Sequence, residues 1–275
     1  MNLHVTILGS GAATPRLGRH CSAQVVSING FKALLDCGEG TQNQIRAFHQ
    51  RMQSMSHIFI SHLHGDHIFG LPGLLSSMHL GGRQTSVDIY SPPGLQAALE
   101  PLFLHSESHI DYPLTFHEIV PHDNEEIELL ANNQCRVVVF PLHHSVPCIG
   151  YRFEENFSQE HTTHRRMRYA YCCDTAFSEE IIPHIEGVDL LCMESTFDSS
   201  LANLAQERGH CTAAQAAQLA KEAGVKCLLL THFSARYHHA DPLLDEARSL
   251  FPNTIEATDG LHLDVDQLIK QLVAI

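Results

Sequence analysis

The chain has 275 residues, of which 44% are hydrophobic, and it carries a formal net charge of −14 at neutral pH. This composition is sufficient for a large packed core, and no apolar run reaches the roughly 18 residues that a membrane helix needs. The acidic balance also disfavours a broad nucleic-acid-binding surface, because phosphate binding normally draws on clustered lysine and arginine side chains.

Apolar runs predict strands interspersed with helices along the whole chain. The predicted strands are residues 3–8, 23–28, 31–35, 58–60, 87–90, 136–140, 148–153, 168–171, 190–193, 227–230 and 261–265. The predicted helices are a segment ending at Phe48, residues 68–78, a segment ending near Leu102, residues 179–185, 212–223 and 242–251, and the C-terminal tail. Residues 106–133 show no clear pattern. Early hairpins and interspersed helices favour sheets with helices packed outside them.

Cysteine usage and the absence of linkers bear on the compartment and the domain organisation. The nine cysteines are odd in number and include no Cys-x-x-Cys pair, which is typical of small buried side chains in a reducing compartment. The N-terminus begins with a strand-like segment and shows no secretory signal. We expect a cytoplasmic protein with no membrane partner. No linker-like segment divides the chain, so a single domain spanning residues 1–275 is also expected.

The run His62-Leu63-His64-Gly65-Asp66-His67 places three imidazoles and one carboxylate within six residues, directly after a short apolar stretch. This mixture suits zinc or a similar divalent ion better than calcium or magnesium. Alternate residues of an extended segment point the same way, so His62 and His64 can converge on one ion while Asp66 and His67 face elsewhere. The spacing favours two metals, as in many phosphoester hydrolases, over a chance cluster in a chain with 22 histidines.

Further ligands of a two-metal site are expected at the ends of other strands. His144, Asp174 and His232 each follow an apolar strand, where a sheet edge meets solvent and a pocket can form. Each would alone be an ordinary loop residue, and the repeated pattern is what makes them candidates.

Several longer motifs give the chain a resemblance to a known family over nearly its whole length. They are Leu34-Leu35-Asp36-Cys37-Gly38-Glu39-Gly40-Thr41-Gln42, Gly150-Tyr151-Arg152, Cys173-Asp174-Thr175, Glu194-Ser195-Thr196-Phe197, Gly209-His210-Cys211-Thr212 and Leu230-Thr231-His232-Phe233-Ser234. With the histidine-rich loop, they resemble the ribonuclease Z group of the metallo-β-lactamase superfamily, the tRNA 3′-processing endonucleases. The resemblance implies an α/β fold of the α+β kind, a four-layer αββα sandwich with the metals between the two sheet edges.

The same resemblance implies roles for individual residues. It makes His62, His64 and His144 ligands of one zinc, and Asp66, His67 and His232 ligands of a second zinc, with Asp174 bridging the two. His143 is the less favoured neighbour of His144.

Catalytic roles follow from the resemblance and from the chemistry such a site permits. Two cations lower the pKa of a shared water, and Asp66 can orient that water or accept its proton. His210, helped by Glu194, is the pair that the resemblance places beside the leaving 3′-oxygen as its acid. Without the resemblance, Glu194 could be a surface residue and His210 a neighbour of a helix N-terminus.

Three departures from the family pattern concern the substrate. The long tRNA-binding arm of bacterial relatives cannot fit between Tyr151 and Asp174, a segment that holds Asn156-Phe157-Ser158-Gln159-Glu160 and Arg165-Arg166. The family's Lys-x-Arg-Asn stretch appears as Leu17-Gly18-Arg19-His20, and Met193 stands before Glu194 where a histidine is common.

Any basic surface on this acidic chain has to be local. The candidates are Arg165, Arg166 and Arg168, together with Arg16 and Arg19. A solvated arginine cluster is the alternative interpretation of the first three.

The leading functional hypothesis is a zinc-dependent endoribonuclease that removes 3′ trailers from tRNA precursors and leaves a 3′-hydroxyl. The missing arm and the acidic charge favour an alternative, a phosphodiesterase acting on small or cyclic nucleotides with the same metals. A non-catalytic metal-binding protein would be expected to lack a ligand or the acid, and none is missing. The resemblance also implies a homodimer.

Overall fold

The computed structural model describes residues 3–122, 124–156 and 165–273, and its strands form two seven-stranded sheets. The first sheet contains β1 (Leu3–Gly9), β2 (Ala23–Ile28), β3 (Phe31–Leu35), β4 (His57–Phe59), β5 (Val87–Ser91), β6 (Leu114–Glu118) and β14 (His262–Asp264). The second sheet contains β7 (Ile127–Ala131), β8 (Cys135–Leu142), β9 (Cys148–Glu155), β10 (Arg168–Cys172), β11 (Leu190–Glu194), β12 (Cys227–Thr231) and β13 (Thr254–Glu256).

Helices connect these strands. The α-helices are α1 (Thr41–Ala47), α2 (Gly65–Ile68), α3 (Leu71–Leu80), α4 (Leu95–His105), α5 (Ile182–Ile185), α6 (Ala202–Arg208), α7 (Ala213–Glu222), α8 (Asp241–Leu250) and α9 (Val265–Val273). Short 3-10 helices cover Met52–Ser54, Glu179–Ile181 and Ser199–Leu201. Within the described ranges, no helix has the length and hydropathy to cross a bilayer.

The two sheets share one arrangement. The first has the order β14-β1-β2-β3-β4-β5-β6, with antiparallel pairing as far as β3 and parallel pairing from β3 to β6. The second has the order β13-β12-β11-β10-β9-β8-β7, antiparallel from β7 to β10 and parallel from β10 to β13. Each sheet is therefore half antiparallel and half parallel.

The sheets pack face to face, and helices cover their outer faces. One apolar cluster lies between the sheets and includes Val5 and Phe59 from the first sheet and Tyr151 and Phe153 from the second. Two further clusters join the outer face of each sheet to its own helices. Burying each large side chain contributes roughly 1.5–3 kcal/mol. The layering confirms the predicted αββα sandwich.

Most predicted elements are present, and the helix predicted over residues 68–78 is found as α3, which begins three residues later, at Leu71. Two helices, α2 and α3, flank a break at Gly70, whose N–H donates to the Cys37 carbonyl at 2.8 Å. A Cβ at Gly70 would lie 2.1 Å from the Gly38 carbonyl oxygen, so this close approach between the two loops requires glycine.

The other differences are smaller. The unassigned segment 106–133 contains the strands β6 and β7. The helix predicted over residues 179–185 begins as a 3-10 turn, and the last predicted strand ends one residue earlier, where α9 starts. Helix α6 was not predicted. Helix α7 matches its prediction because Thr212 and Gln215 form a capping box at its N-terminus,.

Strand direction brings the candidate site residues to one edge of the sandwich. His62 to His67 follow β4, and His144 follows β8. Asp174 comes just after the end of β10, Glu194 is the last residue of β11, and His232 directly follows β12. Parallel strands present their carboxyl ends at one edge, and β8 runs in the direction of β10 because each is antiparallel to β9.

Candidate metal centre and active site

Three histidine nitrogens meet at the first of two clusters. His62 Nε2 lies 3.1 Å from His64 Nδ1, and His144 Nε2 lies 3.2 Å from the same His64 nitrogen. Asp174 Oδ2 completes the group at 3.7 Å from His62 Nε2 and 3.9 Å from His144 Nε2. Ligands of a tetrahedral ion at 2.0–2.1 Å lie about 3.3 Å apart. The spacing of the nitrogens matches that requirement.

The second cluster uses the other oxygen of the same aspartate. Asp174 Oδ1 lies 3.2 Å from His232 Nε2 and 3.6 Å from His67 Nε2. Asp66 Oδ2 lies 3.4 Å from His232 Nε2 and 3.5 Å from His67 Nε2. Asp174 therefore faces both clusters, one carboxylate oxygen toward each.

Hydrogen bonds on the outer side of the first cluster fix which histidine nitrogen carries the proton. His144 Nδ1 donates to the Gly209 carbonyl at 2.8 Å. Ser61 Oγ donates to Asp36 and lies 3.0 Å from His62 Nδ1, so its lone pair accepts from that nitrogen. In both rings the lone pair is left on Nε2, which points into the cluster. Such outer partners orient metal-binding histidines in proteins generally.

The second cluster is held in the same way. His67 Nδ1 contacts Asp36 Oδ2 at 2.7 Å, and His232 Nδ1 lies 3.0 Å from Thr196 Oγ1, which donates to Glu194. His67 Nε2 is buried and has no hydrogen-bond partner among the described residues. A buried nitrogen without a partner costs free energy, and a divalent cation would satisfy it. The donor set therefore fits divalent metal ions.

Charge supports the same conclusion. Burial lowers the pKa of His67, but the carboxylates of Asp36 and Asp174 outweigh it and hold that pKa well above its ordinary value. Burial raises the pKa of Asp66, yet the neighbouring His232 and His67 rings keep that pKa below its usual range. The pocket thus concentrates negative charge and favours a positive charge at its centre.

Glu194 and His210 form a pair beside the second cluster. His210 Nδ1 lies 2.9 and 3.1 Å from the two Glu194 carboxylate oxygens, which also accept from the backbone N–H groups of Thr175 and Cys211. Burial lowers the pKa of His210, but the charge and hydrogen bond of Glu194 raise it to about 9. With Nδ1 held by Glu194, Nε2 is the nitrogen left to serve the cleft.

The clusters open into a cleft of about 690 Å³, lined by His64, Asp66, Asp174, His210 and His232. Its rim carries the exposed side chains Arg208 and Arg236. The Arg236 guanidinium lies 4.8 Å above the Phe197 ring. Neither arginine forms an ion pair with a carboxylate in the part of the chain that the structure describes. Both guanidinium groups are available to phosphate.

The predicted site residues are all brought together here, and His143 is not part of the clusters. His143 Nε2 instead pairs with Glu180 Oε2 at 2.9 Å. Gly209 allows the close approach of His144, since a Cβ there would lie 2.8 Å from His144 Nδ1.

Sequence reasoning missed the outer supports Asp36 and Thr196 and the buried thiol of Cys173, which donates to Asp174 Oδ1 at 2.8 Å. The sequence did hold a signal for Asp36, because a carboxylate stands directly after the apolar residues that end β3. The structure shows that this carboxylate is buried.

The structure does not bring Arg165, Arg166 and Arg168 to the cleft. Arg168 begins β10, whose opposite end leads to Asp174, a separation of roughly 17–20 Å along the strand. Arg165 pairs with Asp189 at 2.6 Å, and Arg168 donates to the Gly187 carbonyl at 2.6 Å. These arginines therefore lie away from the metal clusters, and whether they form a basic surface for RNA stays a prediction.

The other pair of candidate arginines is committed to internal contacts. Arg16 donates to the Ala235 and His238 carbonyls, and Arg19 pairs with Glu256 at 2.6 Å. Of the short segment between Tyr151 and Asp174, where the sequence leaves no room for a full arm, residues 157–164 lie outside the described residues.

Comparisons with known proteins agree with the fold. A family model described as "Beta-lactamase superfamily domain" matches residues 32–233. A ribonuclease Z from Azobacteroides pseudotrichonymphae is 41% identical, covering 95% of this chain and 98% of that protein. A ribonuclease Z from Bacteroides fragilis is 37% identical over 94% of this chain and 98% of its own.

Solved structures show the same likeness. Human tRNase Z, short form, aligns with a TM-score of 0.81 and 31% identity, covering 95% of this chain and 99% of that one. The metallo-β-lactamase fold protein YhfI from Bacillus subtilis, at 21% identity and a TM-score of 0.76, shares the fold. The chain belongs to the ribonuclease Z family of the β-lactamase superfamily.

Proposed function

We propose that this protein is a zinc-dependent endoribonuclease that removes 3′ trailers from tRNA precursors and leaves a 3′-hydroxyl on the tRNA. The observation that carries the proposal is the Glu194–His210 pair, 2.9 Å apart beside a two-cluster metal site. A metal site alone would serve many hydrolases, whereas this acid pair suits a reaction with a poor alkoxide leaving group. The relatives at 35–41% identity named ribonuclease Z support the substrate class.

Two zinc ions per chain are proposed. His62, His64 and His144 would hold one, and Asp66, His67 and His232 the other, with Asp174 between them. Imidazole and carboxylate ligands suit zinc, although manganese would also be accepted by this donor set. When bound, such ions lower the pKa of water and neutralise charge on a reacting phosphate.

The chain's own residues supply the remaining chemistry. Asp66 Oδ2 accepts a hydrogen bond from the Ala13 N–H at 2.7 Å, which fixes the carboxylate so that it can orient the attacking water and receive its proton. His210 donates a proton from Nε2 to the leaving 3′-oxygen. The Glu194 carboxylate keeps the ring in position and stabilises its charge.

The two arginines at the rim of the cleft would contact phosphates of the substrate. Arg208 and Arg236 lie at the rim on the His210 side, where phosphates of the acceptor strand would approach. Local positive charge of this kind allows a chain with a net charge of −14 to bind RNA at one place.

Assembly and location are also proposed. A homodimer would give a tRNA a second surface to contact without an arm, and light scattering at working concentration tests it: a monomer mass would remove this part of the proposal. We propose a cytoplasmic location, because all nine cysteines are free and buried, as a reducing compartment permits.

The direct test is cleavage of a 3′-extended tRNA precursor by zinc-loaded protein, beside a His210→Ala variant and a small chromogenic phosphodiester. Site-specific cleavage after the discriminator region of the precursor, lost in the variant, would support the proposal. Turnover of the small diester with the precursor left intact would favour the alternative, a phosphodiesterase acting on small or cyclic nucleotides.

A further inference from the structure

A second cavity of about 740 Å³ lies on the opposite side of His144 from the metal cleft. The two cavities share His144, Ser145 and Glu207 as a common wall. This second cavity, which we name the apolar groove, is built by the segments that follow β5, β6 and β8, so it opens at the same sheet edge as the metal centre.

The walls of the groove differ in chemistry from those of the cleft. They are formed largely by Pro92, Pro93, Val120, Pro121, Val146 and Pro147. The Val120 side chain is 59% exposed, which leaves an apolar surface open to solvent beside a catalytic site. No lysine or arginine lines the groove among the described residues, and Glu207 adds negative charge to its wall. A phosphate is disfavoured there, and a flat, weakly polar ring is favoured.

Which oxygen leaves in the reaction determines which part of the substrate lies in the groove. Cleavage that leaves a 3′-hydroxyl on the tRNA makes the tRNA's 3′-oxygen the leaving group. His210, the acid for that oxygen, lines the cleft but not the groove. The tRNA end must therefore occupy the cleft with Arg208 and Arg236, and the trailer must extend to the other side of the reacting phosphate.

We propose that the apolar groove binds the first nucleobases of the 3′ trailer. This inference rests on the proposed function and adds to it the site that positions the departing strand. Bases pack against the proline and valine walls, while the Gln206 amide offers hydrogen bonds to base edges. Apolar walls make few hydrogen bonds to base edges, so the groove should discriminate only weakly among the four bases. Efficient cleavage should still require a base at these positions.

The test compares precursors that differ only at the first two trailer positions, carrying either nucleobases or abasic sugars with the phosphates retained. Wild-type protein should cleave the abasic precursor with kcat/KM lower by about tenfold or more, the scale of burying one apolar group of this size. Val120→Gln should slow cleavage of the base-containing precursor and leave the abasic one nearly unchanged. Leu104→Gln is the matched control, because Leu104 on α4 is another exposed apolar residue, 74% exposed, and does not line the groove.

The outcomes separate the two proposals. Equal rates on the base-containing and abasic precursors, or equal slowing of both by Val120→Gln, would overturn the groove assignment while leaving the endoribonuclease intact. Failure to cleave either precursor, with the chromogenic diester still hydrolysed, would overturn the proposed function and the groove assignment with it.

Discussion

The two sheets of this protein have the same strand arrangement but contribute to the metal centre in different ways. The first sheet supplies four candidate ligands from one loop of six residues after β4, His62 to His67. The second sheet supplies His144, Asp174, His232 and Glu194 from separate strand ends, and His210 comes from the loop between α6 and α7. One half carries its chemistry in a contiguous motif and the other assembles it by topology. Asp174 is the residue that contacts both clusters.

Asp174→Asn should have the largest effect, because it removes a charge that faces both clusters. We expect zinc content to fall well below two per chain and precursor cleavage to drop at least about 10³-fold, since several kcal/mol of charge stabilisation are lost. Metal analysis by mass spectrometry and kinetics check this. Asp245→Asn, an exposed aspartate on α8, is the control. A variant that keeps two zinc ions and near wild-type cleavage would contradict the bridging role.

His210→Gln should separate catalysis from metal binding in the second half. The ring lies outside both proposed ligand sets, so zinc content should stay unchanged while kcat falls about 10²–10⁴-fold, the range of general acid catalysis. The exposed His239, changed to Gln, should leave kcat unaltered. Loss of zinc from the His210 variant would mean that this residue holds metal instead of donating a proton.

Asp36→Asn and Thr196→Val test whether the two halves depend equally on their outer supports. Asp36 orients His67 from the first sheet, and Thr196 orients His232 from the second. Each change should weaken zinc affinity by about 10–100-fold. Asp36→Asn should have the larger effect, because Asp36 also accepts from Ser61 and Tyr171. Competition with a chelator of known affinity measures the zinc affinity of each variant. Unchanged zinc affinity in both variants would show that the His67 and His232 rings do not need the contacts with Asp36 and Thr196.

Arg236→Gln should give the smallest effect. An exposed guanidinium that contacts phosphate is worth about 1 kcal/mol, so kcat/KM for the precursor should fall about fivefold, with the loss reduced at high salt. Arg166→Gln, at the far end of the second sheet, should leave kcat/KM for the precursor unchanged. The reverse result would restore the arginine cluster as the RNA-binding surface.

The sequence predicted much of this molecule because several signals were local. The histidine-rich loop alone predicted a metal site, and the length and composition of the apolar runs predicted the strands. The break at Gly70 was not predicted, since it depends on contact with the distant Gly38 carbonyl.

Signals that depend on strand direction were lost or misread. Asp36 appeared only as part of a motif, because its contact with His67 requires that the ends of β3 and β4 lie side by side. Arg165 and Arg168 were clustered in sequence, yet the direction of β10 places them at the edge away from the metals. Glu194 and His210 needed the family resemblance, since neither carries a pattern of its own.

The most direct test of the account is a titration of metal-free protein with Zn²⁺ while site-specific cleavage of a tRNA precursor is followed. The account predicts that cleavage appears only as the second equivalent per chain binds, because each ion has its own set of ligands and both ions act on the same phosphate. Full cleavage at one equivalent, or cleavage by the metal-free protein, would contradict it.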